Sequence, residues 1–198
     1  MENLWDQRYA TDDYIYGTEP NDWFVEKLKI LKPGKILLPA EGEGRNAAWA
    51  AAQGWQVTAF DQSPEAKTKA MRLAADKNVE FNYLVKDLRC FRGEESTFDA
   101  IGLIYVHMPS DFRLQVHTEL LRLLKPGGCI ILEAFSKTQM ENTSGGPKNA
   151  DLLYDAEDLK IDFMQLRMLE FHTIRLHLEE GKLHHGIADV IRLFGRKR

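Results

Sequence analysis

The chain has 198 residues, 44% of them hydrophobic, which fits one compact α/β domain with a sizeable core. Its 26 basic and 30 acidic residues give a net charge of −4, the wrong sign for a protein that binds the phosphate backbone of nucleic acids. The two cysteines lie far apart in the sequence, which excludes a disulfide framework and is typical of a reducing cytoplasm.

The N-terminal segment MENLWDQRYATDD is acidic and aromatic, whereas a signal peptide requires a basic region followed by an apolar one. No stretch of the sequence approaches the roughly 18 consecutive apolar residues of a membrane-spanning helix. The sequence therefore predicts a cytoplasmic protein that does not insert into membranes.

Hydrophobic periodicity predicts alternating helices and strands along the chain. In order these are helix 21–31, strand 35–39, helix 45–53, strand 55–60, helix 64–76, strand 79–84, strand 98–104, helix 109–124, strand 128–135 and helix 155–161. The βαβ alternation predicts a Rossmann-like, doubly wound, mainly parallel α/β sheet. Two alternating runs at 171–178 and 185–194 flank a turn and predict an antiparallel hairpin that completes seven strands.

We expect a single domain over residues 1–198. The polar segment 138–154 contains glycine and proline and is longer than an ordinary connection. Long loops of this kind are often functional, so this segment is a candidate lid.

The segment ILLPAEGEGRNAAWAA, residues 36–51, places two glycines between an apolar strand and an alanine-rich helix. This arrangement brings backbone N–H groups and a helix N-terminus close to a ligand, so Gly42 and Gly44 are candidate ligand-binding residues. Together with Ala47 they also match the dinucleotide pattern G-x-G-x-x-A. Asp61 ends the next strand about 20 residues later, as an NAD ribose would require.

The charge of this loop favours a cationic ligand over NAD. A pyrophosphate here would meet Glu41 and Glu43, and like charges at short range cost free energy. S-adenosylmethionine carries a sulfonium and an amino group and also needs an acid for its ribose hydroxyls. Three alternatives stay open: solvated loop charges, an NAD(P)-dependent oxidoreductase, and a cofactor-binding module without turnover.

The sequence resembles the class I S-adenosylmethionine-dependent methyltransferases, and among them the small tellurite-resistance and thiopurine-type enzymes. The residues that carry the resemblance are WDQRYATDDYIYGTEPNDW, LLPAEGEGRNA, FDQSPEA, VKDL, FDAIGLIYVHMP, LLKPGGCIILEAF and EEGKLHHGIADVIRLFGRK. The resemblance implies methyl transfer from S-adenosylmethionine to a small-molecule acceptor. It also implies a monomer or homodimer without a metal or a nucleic-acid partner.

The resemblance assigns the adenosine end of the cofactor to the ends of the second and third strands. Asp61 would accept hydrogen bonds from the ribose hydroxyls, and Gln62 and Ser63 would line the adenosine. Asp87 and the Leu88 backbone would recognise the adenine. The alternative for Asp87 is a turn or helix cap, which aspartate often provides at a strand end.

The methionyl end of the cofactor is assigned to the N-terminal segment and the glycine loop. Residues 1–20 resemble a cover over the cofactor that includes Trp5, Arg8 and Tyr16, and Arg8 could pair with the methionyl carboxylate. The alternative is aromatic packing under a loose arm. The family usually has an acid near the end of the first strand and a glycine shortly after it.

This chain has Leu38 and Ala40 at those two positions. Glu41 is the most plausible substitute for the missing acid, because it lies on the loop that faces the ligand. We therefore expect Glu41 to hold the methionyl amine.

Tyr105, His107 and Pro109 follow the fourth strand, at the edge where open α/β sheets bind ligands, and are expected to face the transferring methyl group. Tyr105 and His107 are the candidate catalytic residues, and Tyr105 is also a candidate cofactor contact. His107 is either a general base or a structural hydrogen-bonding residue.

His184 and His185 are adjacent on a predicted strand and cannot chelate one ion together, so exposure or packing is expected. Since no strong base is evident, we expect a soft nucleophile such as a thiol or chalcogen species.

Overall fold

The computed structural model describes residues 4–198. Its strands are β1 (Lys35–Pro39), β2 (Gln56–Asp61), β3 (Asn82–Val85), β4 (Phe98–Ile104), β5 (Leu124–Phe135), β6 (Leu166–Glu179) and β7 (His185–Lys197). Its α-helices are α1 (Leu4–Tyr9), α2 (Asp22–Lys29), α3 (Arg45–Ala52), α4 (Pro64–Asp76), α5 (Ser110–Leu123) and α6 (Ala156–Asp162).

The seven strands form one sheet in the order β3-β2-β1-β4-β5-β7-β6. Strands β1 to β5 run parallel, and β7 is antiparallel to both β5 and β6. The predicted Rossmann-like sheet with a C-terminal antiparallel hairpin is therefore confirmed. The strand order reverses between β1 and β4, and open α/β sheets bind ligands in the crevice at such a reversal.

The central strands β1, β4 and β5 are buried on both faces, which explains why they are almost continuously apolar. In β1, Ile36 and Leu38 pack with Phe24 and Ala47 on the face covered by α2 and α3. Leu37 points to the opposite face and joins the core that includes residues of α5 and α6. This alternation follows from the two-residue period of a strand.

The structure differs from the sequence prediction mainly at element ends. β3 begins at Asn82, three residues after the predicted start, because residues 77–79 complete the C-terminal turn of α4 through Val79 N and Ala74 O, 2.9 Å apart. β6 begins at Leu166, five residues before the predicted start. Helix α1 was not predicted, because its short sequence LWDQRY has no helical apolar repeat long enough to recognise.

The candidate lid at 138–154 contains parts of two short 3₁₀ helices, Lys137–Glu141 and Ala150–Leu152. The buried Gln139 side chain donates to Ser144 Oγ at 3.0 Å and to the Gly145 carbonyl at 2.9 Å. The segment is thus held by its own polar side chains. None of the helices within 4–198 combines the length and the apolar character needed to cross a membrane.

Candidate active site

A cavity of about 800 Å³ opens at the carboxyl edge of the sheet, around the ends of β1, β2 and β4. The structure brings most of the sequence-predicted site residues together on its wall. These residues are Trp5, Arg8, Tyr16, Glu41, Gly42, Asp61, Gln62, Asp87, Leu88, Tyr105 and His107. Residues 146–149 and Leu152 of the candidate lid also line it, whereas Gly44 and Ser63 do not.

The N-terminal segment lies over the glycine loop and is anchored by Glu43. The Glu43 carboxylate accepts hydrogen bonds from the backbone N–H groups of Ile15 and Tyr16 at 2.8 and 3.2 Å. It also forms a buried salt bridge with Lys69 at 2.7 Å. The sequence suggested that Glu43 faces the ligand, but its charge is already neutralised by Lys69. Glu43 therefore fastens the cover to α4.

Glu41 closes the N-terminus of α3. Its Oε1 accepts from the Ala47 backbone N–H at 2.7 Å, and its Oε2 lies 3.4 Å from Asn46 Nδ2. The first contact satisfies a backbone N–H group of the first helical turn that has no intrahelical partner. Burial raises the pKa of Glu41 to about 7, although the hydrogen bonds oppose the shift. A neighbouring cation would therefore readily ionise it.

Asp61 ends β2 with a carboxylate that is only 7% exposed. It accepts hydrogen bonds from the backbone N–H groups of Gly42 and Ser63 at 3.2 and 3.0 Å. Burial nevertheless raises its pKa above the ordinary value. Neither Asp61 nor Glu41 forms a salt bridge with any residue of 4–198. These two carboxylate acceptors suit hydroxyl groups and a cation, as S-adenosylmethionine offers, and they would repel a pyrophosphate.

Glycine is required at positions 42 and 44 for different structural reasons. A Cβ at Gly42 would lie 2.8 Å from the Tyr9 hydroxyl under the cover. A Cβ at Gly44 would lie 2.9 Å from the Ala70 Cα, so Gly44 permits close contact between α3 and α4. Ser63 is fully buried, and its Oγ caps α4 by accepting from Ala66 N at 3.2 Å. Gly44 and Ser63 thus position the helices next to the cavity without lining it.

Replacing Gly44 with alanine should destabilise the fold more than the same change at Gly54. Both glycines have φ of +87°, but a Cβ at Gly54 would meet nothing within 4 Å. We expect about 1 kcal/mol for Gly54→Ala from backbone strain, and about 1–3 kcal/mol more for Gly44→Ala from overpacking. Urea denaturation measures both variants, and equal losses would remove the packing explanation.

Asp87 follows β3 and caps the 3₁₀ helix Leu88–Cys90 by accepting from Arg89 N at 2.8 Å. Its carboxylate also pairs with the Arg89 guanidinium at 3.0 and 2.7 Å. Arg89 lowers the pKa of Asp87, so the carboxylate is ionised at neutral pH. The alternative of a turn cap thus describes its contacts, while the residue still lines the cavity.

His107 uses both ring nitrogens within the protein. Nδ1 lies 2.7 Å from the Leu152 carbonyl, and Nε2 lies 3.4 Å from the Phe135 backbone N–H. The first contact requires a proton on Nδ1, so Nε2 is the acceptor of the second. Burial lowers the pKa of His107 to about 4. Of the two alternatives, the contacts favour the structural hydrogen-bonding role.

Tyr105 is held by Glu133 at two points. Its hydroxyl donates to Glu133 Oε1 at 2.7 Å, and its backbone N–H donates to the Glu133 carbonyl at 2.7 Å. These bonds fix Tyr105 at a φ of +54°, a conformation that costs free energy for a non-glycine residue. Burial, together with Glu133, raises the pKa of Tyr105 well above its usual value, so the phenol stays protonated.

Glu133 is the centre of a buried polar cluster that sequence reasoning missed. Asn21 Nδ2 donates to its Oε1 at 2.6 Å, and Arg192 Nε donates to its Oε2 at 2.5 Å. The same Asn21 amide donates to Glu180 Oε1 at 2.9 Å. A lone glutamate inside the apolar run CIILEAF was the available signal, because an unpaired charge is rarely buried.

His184 was expected to be exposed or packed, and the structure buries it at 5% exposure on the cavity wall. Its Nδ1 lies 3.2 Å from Glu180 Oε2, which also accepts from Arg45 Nη2 at 2.8 Å. The imidazole packs 4.5 Å from the ring centroids of both Tyr16 and Tyr105. His185, in contrast, is exposed. Among residues 4–198 no group of three or more acidic, cysteine or histidine side chains has a metal-binding arrangement.

Comparison with known proteins agrees with this geometry. A methyltransferase-domain family matches residues 36–128. The ubiquinone biosynthesis O-methyltransferase of Xanthomonas campestris pv. campestris is 25% identical over 142 residues, which are 70% of this chain and 59% of that protein. The chain thus spans about three-fifths of the length of that relative.

Two solved structures share the fold at 18% identity. One concerns the conversion of a disulfide bond into a thioacetal group during echinomycin biosynthesis. It has a TM-score of 0.80 and covers 98% of this chain and 90% of its own. The other is TehB from Haemophilus influenzae, with a TM-score of 0.74 over 98% of this chain and 66% of its own. At this identity the likeness establishes the fold alone.

The family match over residues 36–128 and the shared fold support a class I S-adenosylmethionine-dependent methyltransferase, as the resemblance implied. The predicted enzyme type and cofactor agree with this family match. The finer resemblance to the tellurite-resistance and thiopurine-type enzymes stays a prediction, because the likeness to TehB shows the fold alone.

Proposed function

We propose that this chain transfers the methyl group of S-adenosylmethionine to a small-molecule acceptor in the cavity at the carboxyl edge of the sheet. The observation that carries the proposal is a pair of cavity carboxylates, Glu41 and Asp61, that form no salt bridge within the described residues 4–198. A cation and two ribose hydroxyls would supply what these carboxylates lack. An NAD pyrophosphate would add negative charge at the same place.

The cofactor-binding residues divide between its two ends. Asp61 would accept the ribose hydroxyls, with Gln62 beside the adenosine and with Asp87 and the Leu88 backbone at the adenine. At the methionyl end Glu41 would hold the amine, and Arg8 would hold the carboxylate under the cover formed with Trp5 and Tyr16. Arg8 Nη1 is already oriented by the Tyr16 hydroxyl at 3.0 Å.

When bound, S-adenosylmethionine supplies a methyl group activated by its positive sulfur. The protein then mainly needs to align the nucleophile and exclude water. The cover anchored by Glu43 and the ordered segment at residues 146–149 lie on the cavity wall and suit both tasks. Tyr105 stays a protonated phenol bound to Glu133, so it shapes the acceptor end of the cavity without exchanging a proton.

For the acceptor we propose a soft nucleophile, a thiol or chalcogen species, as in the tellurite-resistance and thiopurine-type enzymes. The likeness to TehB and the compact cavity support this choice. The curated relative is named as an O-methyltransferase of ubiquinone biosynthesis, so a hydroxyl acceptor belongs in the same test. We further propose a cytoplasmic monomer or homodimer that does not bind nucleic acid, in keeping with the net charge of −4.

Isothermal titration of the full chain with S-adenosylmethionine, S-adenosylhomocysteine, NAD and NADP tests the cofactor assignment. The two sulfur ligands should bind and the two dinucleotides should not. Asp61→Ala should weaken binding by about 1.5–3 kcal/mol, roughly 10- to 150-fold, because it removes charge-assisted hydrogen bonds. Tight NAD binding without a response to either sulfur ligand would overturn the proposal and favour the oxidoreductase.

The acceptor is tested with a panel of aryl thiols, selenite, tellurite, phenols, nucleic acid and protein extract, assayed for transfer of labelled methyl. Transfer to at least one small molecule supports the proposal. Labelling of a macromolecule alone would contradict it. A chain that binds the cofactor and methylates nothing in the panel would be the third alternative, a binding module without turnover.

A further inference from the structure

We propose that Glu180 and His184 form a catalytic dyad, in which Nε2 of His184 accepts the proton of the acceptor nucleophile during methyl transfer. The inference rests on the proposed function and deepens it. It replaces the expectation that the site holds no strong base. It also widens the acceptor class from ionised thiols to weak acids such as alkyl thiols and phenols.

The first step of the argument is the orientation of the imidazole. Glu180 Oε2 lies 3.2 Å from Nδ1, which places the proton of a neutral ring on Nδ1 and leaves the lone pair on Nε2. Nε2 makes no hydrogen bond within residues 4–198 and is not fully enclosed. Because His184 lines the cavity, a nucleophile there can reach this lone pair.

The second step is the contrast with His107, the base that the sequence suggested. Both nitrogens of His107 are engaged, at 2.7 Å with Leu152 and at 3.4 Å with Phe135. Its Nε2 would have to give up a backbone N–H before it could accept a proton. In His184, Nδ1 is held by the Glu180 carboxylate, whereas Nε2 makes no hydrogen bond within residues 4–198.

The third step is the support of the carboxylate. Glu180 is held by Arg45 at 2.8 Å and by the Asn21 amide at 2.9 Å, so it cannot turn away from the ring. Arg45 and His184 lower the pKa of Glu180 to about 2 against the effect of burial, and the carboxylate is ionised. It would stabilise the imidazolium that forms when Nε2 takes a proton.

The charged groups around His184 determine its resting state. Burial lowers its pKa, Glu180 raises it, and Arg45 and Arg8 lower it further, with a net lowering. The rings of Tyr16 and Tyr105 pack against the imidazole and stay protonated, since burial raises the pKa of both. His184 is therefore neutral at neutral pH, as a base must be.

The proposed step balances without an added reagent. The S–H or O–H bond of the acceptor breaks, its proton binds Nε2, and its electron pair forms a bond to the methyl carbon. The carbon–sulfur bond of the cofactor breaks, and its electron pair stays on sulfur, which becomes a neutral thioether. The imidazolium then releases its proton to water.

The test compares wild type with His184→Asn, because an asparagine amide can still donate to Glu180 while it offers no basic nitrogen. The probes are a phenol and an alkyl thiol, with pKa values of about 10 and 8.5, and an aryl thiol that is ionised at the assay pH. We expect His184→Asn to lower kcat roughly 10²–10⁴-fold for the two weak acids. The ionised aryl thiol and the affinity for S-adenosylmethionine should change little. His185→Ala, at the exposed neighbour, is the matched control.

Equal loss with all three acceptors, or no loss with any, would overturn the dyad. A second measurement needs no activity: nitrogen NMR of the wild-type chain at pH 7 should show His184 neutral, with its proton on Nδ1. A charged ring or a proton on Nε2 would also overturn it. A chain that methylates none of the probes would count against the proposed function, and the NMR result would then decide the dyad.

Discussion

Replacing Glu133 with alanine should lower the free energy of unfolding by about 3–5 kcal/mol, a large fraction of the stability of a domain. Glu133 is fully buried, and its carboxylate accepts from Arg192, Asn21 and Tyr105. The substitution leaves the Arg192 guanidinium, which is 20% exposed, without its carboxylate. It also releases the Tyr105 hydroxyl and one N–H of Asn21 in a buried region.

The matched control is Glu157→Ala. Glu157 also forms a salt bridge, with Lys160 at 2.8 Å, but both side chains are at least 49% exposed. An exposed pair of this kind contributes about 0–1 kcal/mol. Urea denaturation of the two variants separates the loss of a buried carboxylate from the loss of any carboxylate. Similar small losses for both would show that the Glu133 cluster adds little to stability.

The sheet was predictable because each strand carries a local signal. In β1 an apolar run of four residues follows Lys35. Ser63 with Pro64 marks the start of α4 as a cap followed by a first-turn proline. The final hairpin was predicted from two alternating runs on either side of a turn, although the structure buries most of β7 continuously. Helix α1 has only six residues and carries no such pattern, so the sequence did not reveal it.

Residues of the candidate site were predicted from strand ends and, for Trp5, Arg8 and Tyr16, from the family resemblance. Asp61, Asp87, Tyr105 and Glu41 were found because the carboxyl ends of parallel strands meet at one edge. The polar cluster behind them depends on long-range pairing, and Asn21 meets Glu133 across 112 positions. No local pattern reports such a contact.

The sequence shows which residues of the site are charged, but it does not show which residues pair with them. In the sequence, Glu41 and Glu43 flank Gly42 symmetrically, and nothing local distinguishes their roles. In the structure Glu43 is neutralised by Lys69 on α4, and Glu41 accepts only neutral N–H donors from α3. His184 and His185 show the same difference, because only His184 reaches Glu180. The fold therefore decides which member of each pair can act on a ligand.

Glu41 should make cofactor binding depend on pH near neutrality. Burial raises its pKa to about 7 in the free protein, and a cationic ligand beside it would favour the ionised form. The pKa in the complex is then lower than in the free chain, so binding is strongest above pH 7. Below pH 7 the affinity should fall by up to tenfold per pH unit until the pKa of the complex is reached.

Isothermal titration with S-adenosylmethionine between pH 5.5 and 8.5, in two buffers of different ionisation enthalpy, measures this linkage. Near pH 7 about half of the Glu41 carboxyl groups are protonated, so binding should release about half a proton. S-adenosylhomocysteine lacks the sulfonium charge but keeps the amino group that Glu41 would hold, so its affinity should also fall below pH 7. Glu41→Gln keeps the shape and cannot ionise, and it should bind more weakly with no proton release from this site. Equal affinity across the range, with the same proton release in wild type and variant, would show that Glu41 does not sense the charge of the cofactor.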